Sequence, residues 1–127
     1  MRVMIVEDHS EMRRMISGIV KETLGSAAEL LAFTGGEEAS WSAVHHRPDL
    51  LLLDIELGAM NGFEVMGRIR SLYPLLPVII ITSHHASAYK AKAELMRADG
   101  FLTKDHLSDL APLIHRCISH PQGGSPS

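Results

Sequence analysis

Four short segments of the chain end in side chains capable of chemistry. Glu7-Asp8 follows the apolar run 3–6, and Asp54 follows Leu50-Leu51-Leu52-Leu53. Thr82-Ser83 follows 78–81, and Thr103-Lys104 closes the segment that begins at Gly100. If the fold gathers these ends, three carboxylates, hydroxyls and one ammonium share a small volume. Two like charges ~6 Å apart repel by roughly 3 kcal/mol at an effective dielectric of ~20, so the acids need a counter-charge. A divalent cation supplies one, and an all-oxygen donor set suits Mg²⁺, which takes one or two carboxylates and keeps waters or phosphate oxygens. Beside such an ion Asp54 has the character of a nucleophile toward a phosphoryl group, with Lys104 and Thr82 stabilising its oxygens. Each residue also has a plainer reading. Asp8 can cap a helix, Thr82 can be a strand-end hydroxyl, and Lys104 a solvated lysine. Asp54 fits that reading least, because a carboxylate against a buried strand end is costly without a partner.

The elements that must position these groups are written in the pattern. The runs 3–6, 50–53 and 78–81 are solidly apolar rather than alternating, as strands covered on both faces are, and this argues for a parallel sheet between helices. Residues 29–33 and 100–103 are weaker strand candidates. Met12, Met15, Ile16, Ile19, Val20 and Leu24 recur at steps of three and four on one helical face. Asp8 with Glu11, Thr34 with Glu37 and Asn61 with Glu64 have capping-box spacing, which predicts helix starts there. Pro48 ends the second helix, Pro74 and Pro77 end the third, and further helices are expected over 86–98 and 107–119. The result is an α/β fold of five strand-helix units around a parallel sheet, in which ligands bind beyond the C-terminal strand ends.

Composition narrows the function. The chain has 127 residues, enough for one domain with one core, here expected at 1–119. The segment 120–127 has the Gly, Ser and Pro content of a disordered tail. Twelve Lys and Arg against fifteen Asp and Glu give a net charge of −3, and no basic cluster marks a nucleic-acid contact. Cys117, the single cysteine, precludes an internal disulfide and favours a cytoplasmic location. No run reaches membrane-spanning length. There is no Gly-rich phosphate loop, no paired-cysteine motif and no serine-nucleophile elbow. Of eight histidines, His9, His84, His85 and His106 fall in loops on the expected rim, a placement that suggests a transition-metal site or a pH sensor, but no spacing groups them as a known ligand set and solvated side chains are the expectation. Trp41 and the seven methionines read as helix-face and core packing.

Taken in order, Val-Met-Ile-Val-Glu7-Asp8, Arg47-Pro-Asp-Leu-Leu-Leu-Leu-Asp54, Met60-Asn-Gly62, Ile-Ile-Ile-Thr82 and Gly100-Phe-Leu-Thr-Lys104 resemble the receiver domain of two-component response regulators. The resemblance runs from residue 2 to about 119. It implies a doubly wound, flavodoxin-like (βα)5 fold with strand order 2-1-3-4-5, which is itself a standard example of ligand binding at a switch point. It also implies that Asp54 accepts a phosphoryl group from a sensor histidine kinase, a phosphotransfer protein or a small phosphodonor. Asp8, Asp54 and the backbone carbonyl of Glu56 would bind Mg²⁺, with Glu7 acting mainly through water. Lys104 and Thr82 would hold phosphoryl oxygens. Thr82 with Phe101 would switch the face of helix 4, strand 5 and helix 5, where a downstream protein would bind. Glu56 and His84 would set the lifetime of the phosphoryl group. Such a domain catalyses only its own phosphorylation and dephosphorylation.

Some positions depart from the family pattern. Gly58 stands where Pro is frequent and is expected to loosen the loop after Asp54. Asp105 follows the lysine where Pro is frequent, Ser83 replaces a small apolar residue, and Phe101 replaces the commoner Tyr. Three rival readings stay open. Asp54-Ile-Glu56 resembles the nucleophile motif of haloacid-dehalogenase-like phosphatases, although in that family the acidic pair follows the lysine. A constitutive binding module would keep the pocket without phosphorylation. The chain also resembles the receiver half of a transcriptional regulator without its DNA-binding part; if it is whole, its output must be a surface of the domain itself.

Overall fold

The structure, a computed structural model, describes residues 1–58, 60–83 and 87–119. The elements in chain order are β1 (Arg2–Val6), α1 (Ser10–Leu24), β2 (Glu29–Phe33), α2 (Gly36–His45) and β3 (Leu50–Leu53). A short hairpin, β4 (Glu56–Leu57) and β5 (Met60–Asn61), leads into α3 (Gly62–Leu72). Then follow β6 (Val78–Thr82), α4 (Ser87–Leu95), β7 (Gly100–Thr103), a 3-10 segment (Lys104–Asp109) and α5 (Leu110–Ser119). The main sheet has the order β2-β1-β3-β6-β7 with every pairing parallel, so β6 and β7 are its fourth and fifth strands and the expected 2-1-3-4-5 order holds.

The solid apolar runs become central strands because alternate residues feed two different cores. Met4, Val6, Leu51, Leu53, Val78 and Ile80 pack on one face against Ala39 and Ala43 of α2, Val65, Met66 and Ile69 of α3, and Ala93 of α4. Val3, Ile5, Leu50, Leu52, Ile79 and Ile81 pack on the other against Ile16 and Val20 of α1 and Leu113, Ile114 and Cys117 of α5. Each fully buried Leu or Ile contributes roughly 1.5–3 kcal/mol relative to exposure. At the opposite end of the sheet from the functional rim, Arg70 of α3 donates to the Leu76 carbonyl, the Met96 carbonyl and Asp99 Oδ2, each at 3.0 Å. Asp99 Oδ2 also accepts from the Val78 N–H at 2.8 Å, so this ion pair fixes where β6 begins.

Local details differ from expectation where tertiary contacts intervene. Of the three residues expected to cap, only Asn61 does so with its side chain, accepting from the Phe63 N–H at 2.7 Å, and Glu64 turns to Arg68 at 3.4 Å instead of completing a box. His9 rather than Asp8 occupies the N-cap of α1, since Asp8 faces the rim. Gly35 caps α2, and the Thr34 hydroxyl donates to Glu38. The next residue, Gly36, has no room for a side chain: a Cβ there would strike Val65 Cγ2 and come within 2.8 Å of Met60 Sδ. The α2–α3 contact thus sets that boundary. Gly58 takes φ +71° between the paired strands β4 and β5, a left-handed conformation that glycine adopts without steric cost. The fourth helix ends at Leu95 because Arg97 turns at φ +61° and the Ala98 N–H bonds back to Ala93, while the expected start at residue 86 lies outside the described residues. The fifth begins at Leu110 rather than at 107, after a 3-10 segment interrupted at His106. Trp41 is 69% exposed and stands edge-on to His45, and Met1 and Met15 are also exposed, so these three do not serve the core. The expected tail, 120–127, lies outside the described residues.

Candidate functional site

Register explains how the acidic groups meet. Val6 pairs with Leu53, so Glu7 and Asp54 are the next residues out on adjacent strands, and the Asp54 N–H bonds to the Val6 carbonyl at 3.0 Å. Thr82 pairs with Thr103, which puts Lys104 one residue beyond the end of β7. Since strands lie ~4.8 Å apart, Asp54 on β3 and Lys104 on β7 are separated by about two strand spacings. The long lysine side chain spans this gap. Its Nζ stands 3.1 Å from Asp54 Oδ2 and 2.9 Å from Glu7 Oε1.

This cluster is dry on one side and open on the other. Glu7 is 1% exposed and Asp54 4%, whereas the side chain of Asp8 is 37% exposed. Burial first, and the Glu7 charge second, raise the Asp54 carboxyl above its ordinary value, while Lys104 and the Glu56 N–H partly offset them. The Lys104 ammonium is raised as well: burial alone would lower it, but its contacts with Glu7 and Asp54 outweigh that. Glu7 Oε1 is held by the lysine charge without a well-aligned hydrogen bond. Glu7 Oε2 accepts from the His9 N–H at 3.0 Å, and the Glu7 carbonyl accepts from Arg13 at 2.9 Å.

One donor atom from each of Glu7, Asp8, His9 and Asp54 lies within 4.8 Å of the other three. The poorly satisfied Glu7 oxygen and the two further carboxylates make a donor set that fits a hard divalent cation. Beside it a depression of about 530 Å³ is lined by His9, Glu11, Met12, Met15, Ser83 and Lys104, so the site is reached from solvent past α1. Beneath Asp54 there is no slack. A Cβ on Gly62 would strike the Asp54 carbonyl and lie 2.6 Å from Ile55 Cα, and the Gly62 N–H bonds to the Ile55 carbonyl at 2.6 Å.

The structure therefore brings together Glu7, Asp8, Asp54 and Lys104. Thr82 is fully buried at the end of β6, the strand the lysine crosses. Phe101 packs against the same core as Ile80, its register partner two positions before Thr82. Glu56 is exposed in β4, and its N–H lies 3.3 Å from Asp54 Oδ1. His84 and His85 lie outside the described residues. His106 does not join the cluster; its Nδ1 is 2.9 Å from Thr103 Oγ1. Two contributors were not legible as such. His9 is tied to Glu7 and Asp8 rather than simply solvated, and its position directly after them in the sequence was the available signal. Gly62 is a steric requirement that only the packed backbone reveals. Among the described residues no helix is long and apolar enough to cross a membrane.

Comparison with known proteins agrees with this geometry. The chain is 30% identical to the DNA-binding transcriptional regulator NtrC of Salmonella typhimurium over 94% of its own length and 25% of that protein. It thus spans about a quarter of the length of that relative. Its fold matches the response regulator domain of Thermotoga maritima CheB with a TM-score of 0.79 at 27% identity, covering 99% of this chain and 98% of that one. It also matches response regulator Rcp1, solved in a Mn²⁺-bound form, with a TM-score of 0.73 at 25% identity, covering 93% and 91% of the two chains. The response regulator receiver domain profile covers residues 3–115. With the strand order, the acidic rim and this match in agreement, the chain belongs to the response regulator receiver domain family.

Proposed function

We propose that Asp54 is the phosphoacceptor of a signalling switch, taking a phosphoryl group from a phosphohistidine of a sensor kinase or phosphotransfer protein, or from a small phosphodonor. The observation that carries this reading is Lys104 Nζ set between two buried carboxylates, 3.1 Å from Asp54 and 2.9 Å from Glu7. Asp8, Asp54 and the Glu56 carbonyl would hold Mg²⁺, with Glu7 acting mainly through water. The ion supplies positive charge for the acids and for an incoming phosphoryl group. An Asp54 carboxylate oxygen forms the bond to phosphorus while the donor's phosphorus–nitrogen bond breaks and the imidazole keeps that electron pair. Lys104 then exchanges a carboxylate contact for a phosphoryl oxygen, and the Thr82 hydroxyl takes another.

The output follows from where those two groups sit. Thr82 and Phe101 lie on β6 and β7, next to a groove of about 470 Å³ lined by Ser87, Lys90, Phe101, Leu102, Thr103, His106 and Asp109. Drawing Thr82 toward the phosphoryl group favours one packing of Phe101 over another, which shifts a population of the α4-β7-α5 face that a downstream protein reads. Glu56, exposed beside Asp54, and His84 would set how fast water removes the group. Catalysis is confined to the domain's own phosphorylation and dephosphorylation.

Incubation with Mg²⁺ and a small phosphodonor should add one phosphoryl group by intact mass, absent from Asp54→Ala. No adduct, or an adduct that survives that substitution, overturns the proposal.

A further inference from the structure

The acidic cluster contains one nitrogen donor among the described residues. His9 Nδ1 lies 3.2 Å from Glu7 Oε2 and 3.2 Å from Asp8 Oδ1, so this one nitrogen contacts two carboxylates of different burial. The backbone fixes this placement: the His9 N–H bonds to Glu7 Oε2 at 3.0 Å, and the His9 carbonyl accepts the first helical bond of α1 from Arg13 at 2.9 Å. The chain thus turns at His9, and the imidazole folds back over the acids from the solvent side, with the side chain 74% exposed.

Those contacts are a hydrogen bond and an ion pair, and their lengths are also close to the spacing of donors around one ion. An octahedral ion about 2.1 Å from each donor places adjacent donors about 3.0 Å apart and opposite donors about 4.2 Å apart. The 3.2 Å between His9 Nδ1 and Asp8 Oδ1 is close to an adjacent-ligand separation, and the 4.8 Å bound on the four-residue set exceeds the opposite-donor separation, so its most distant donors close by up to about 0.6 Å around one ion. Carboxylates alone favour a hard ion such as Mg²⁺, whereas an imidazole nitrogen favours later transition metals, whose affinity for nitrogen donors rises along the series. We infer that His9 contributes an imidazole nitrogen to the divalent-cation site of Asp8 and Asp54, with Glu7 behind it, giving it a built-in preference for Co²⁺, Ni²⁺ or Zn²⁺ over Mg²⁺. This rests on the reading of the cluster as a cation site. Its consequence is that metal supply selects which ion occupies the switch.

Calorimetric titration of the full chain with Co²⁺ and with Mg²⁺, in the native protein and in His9→Gln, tests the inference. The exposed position of His9 makes the substitution compatible with folding. The ratio of Co²⁺ to Mg²⁺ affinity should fall by about tenfold or more in His9→Gln, and the visible absorption bands of bound Co²⁺ should shift as a nitrogen ligand is lost. An unchanged ratio with unchanged Co²⁺ bands overturns the inference and leaves the cation site standing. If Asp54→Asn weakens neither ion, the cation-site reading fails and the inference with it.

Discussion

Lys104 holds Asp54 and Glu7 at once, with its Nζ 3.1 Å from the Asp54 carboxylate and 2.9 Å from that of Glu7. One ammonium therefore balances two buried anions from strands β3 and β1. The arrangement leaves a surplus negative charge in a dry place, and three predictions follow from it or from the backbone beneath it.

Asp54→Asn should stabilise the metal-free protein at neutral pH. Burial and Glu7 raise the folded-state carboxyl above its ordinary value of 3.8, so the ionised form opposes folding. Wild-type stability from this group increases as pH falls through the folded value toward 3.8, and the advantage of Asn shrinks over the same window. The expected gain at pH 7 without divalent ions is about 1 kcal/mol, or roughly 4 °C in melting temperature. Thermal melts at pH 7 and pH 4 check it, and an Asn variant less stable than wild type at pH 7 contradicts the charge imbalance.

Lys104→Met should have the opposite effect. It leaves Glu7 and Asp54 facing each other without a cation, at a cost of about 3–5 kcal/mol. Mg²⁺ should recover more stability in this variant than in wild type, because the ion replaces the missing charge and stabilises by mass action. Urea denaturation with and without Mg²⁺ measures both quantities; equal Mg²⁺ effects in the two proteins would count against the shared site.

Gly62→Ala should damage the site more than its distance from any chemistry suggests. The added methyl meets the Asp54 carbonyl and Ile55 Cα, both backbone atoms with no side-chain freedom to yield. A cost of about 1–3 kcal/mol is expected, with slower phosphorylation because Asp54 is displaced. Gly67→Ala is the matched control, since nothing lies within 4 Å of its Cβ position, and it should stabilise α3 by up to about 1 kcal/mol. Equal phosphorylation rates in the two variants would show that the Gly62 contact does not position Asp54.

Cys117 should resist alkylation until the domain opens. The thiol is 6% exposed in the core between α5 and the sheet, and burial pushes it up to about 11 from 9.0. Because the folded value is raised, stability is unaffected below the unfolded value and declines as pH rises from 9.0 toward 11. Iodoacetamide labelling at pH 8, followed by mass, should track the unfolding curve in urea; rapid labelling of the native state would contradict this burial.

The strands were legible because their signal is local. Leu50–Leu53 and the apolar runs before Glu7 and Thr82 have no polar alternation, and residues buried on both faces have no reason to alternate. The polar residues ending those runs pointed to the rim for the same reason. The helix starts were less legible. Asp8, Thr34 and Asn61 all have side chains suited to capping, but only Asn61 has no competing demand on it. Asp8 belongs to the rim, and the close approach of Gly36 to Val65 and Met60 sets the start of α2.

By itself the sequence determined the sheet, the chain order of the strand ends and therefore which acids share a rim, since periodicity and strand-end chemistry are properties of neighbouring residues. Only the tertiary structure decided that one lysine crosses β6 to hold both Glu7 and Asp54, that Gly62 must be bare beneath Asp54, and that His9 folds back onto the acids. Each of these depends on the spacing between strands or on a backbone approach of a few ångströms, and residues far apart in the chain set those distances.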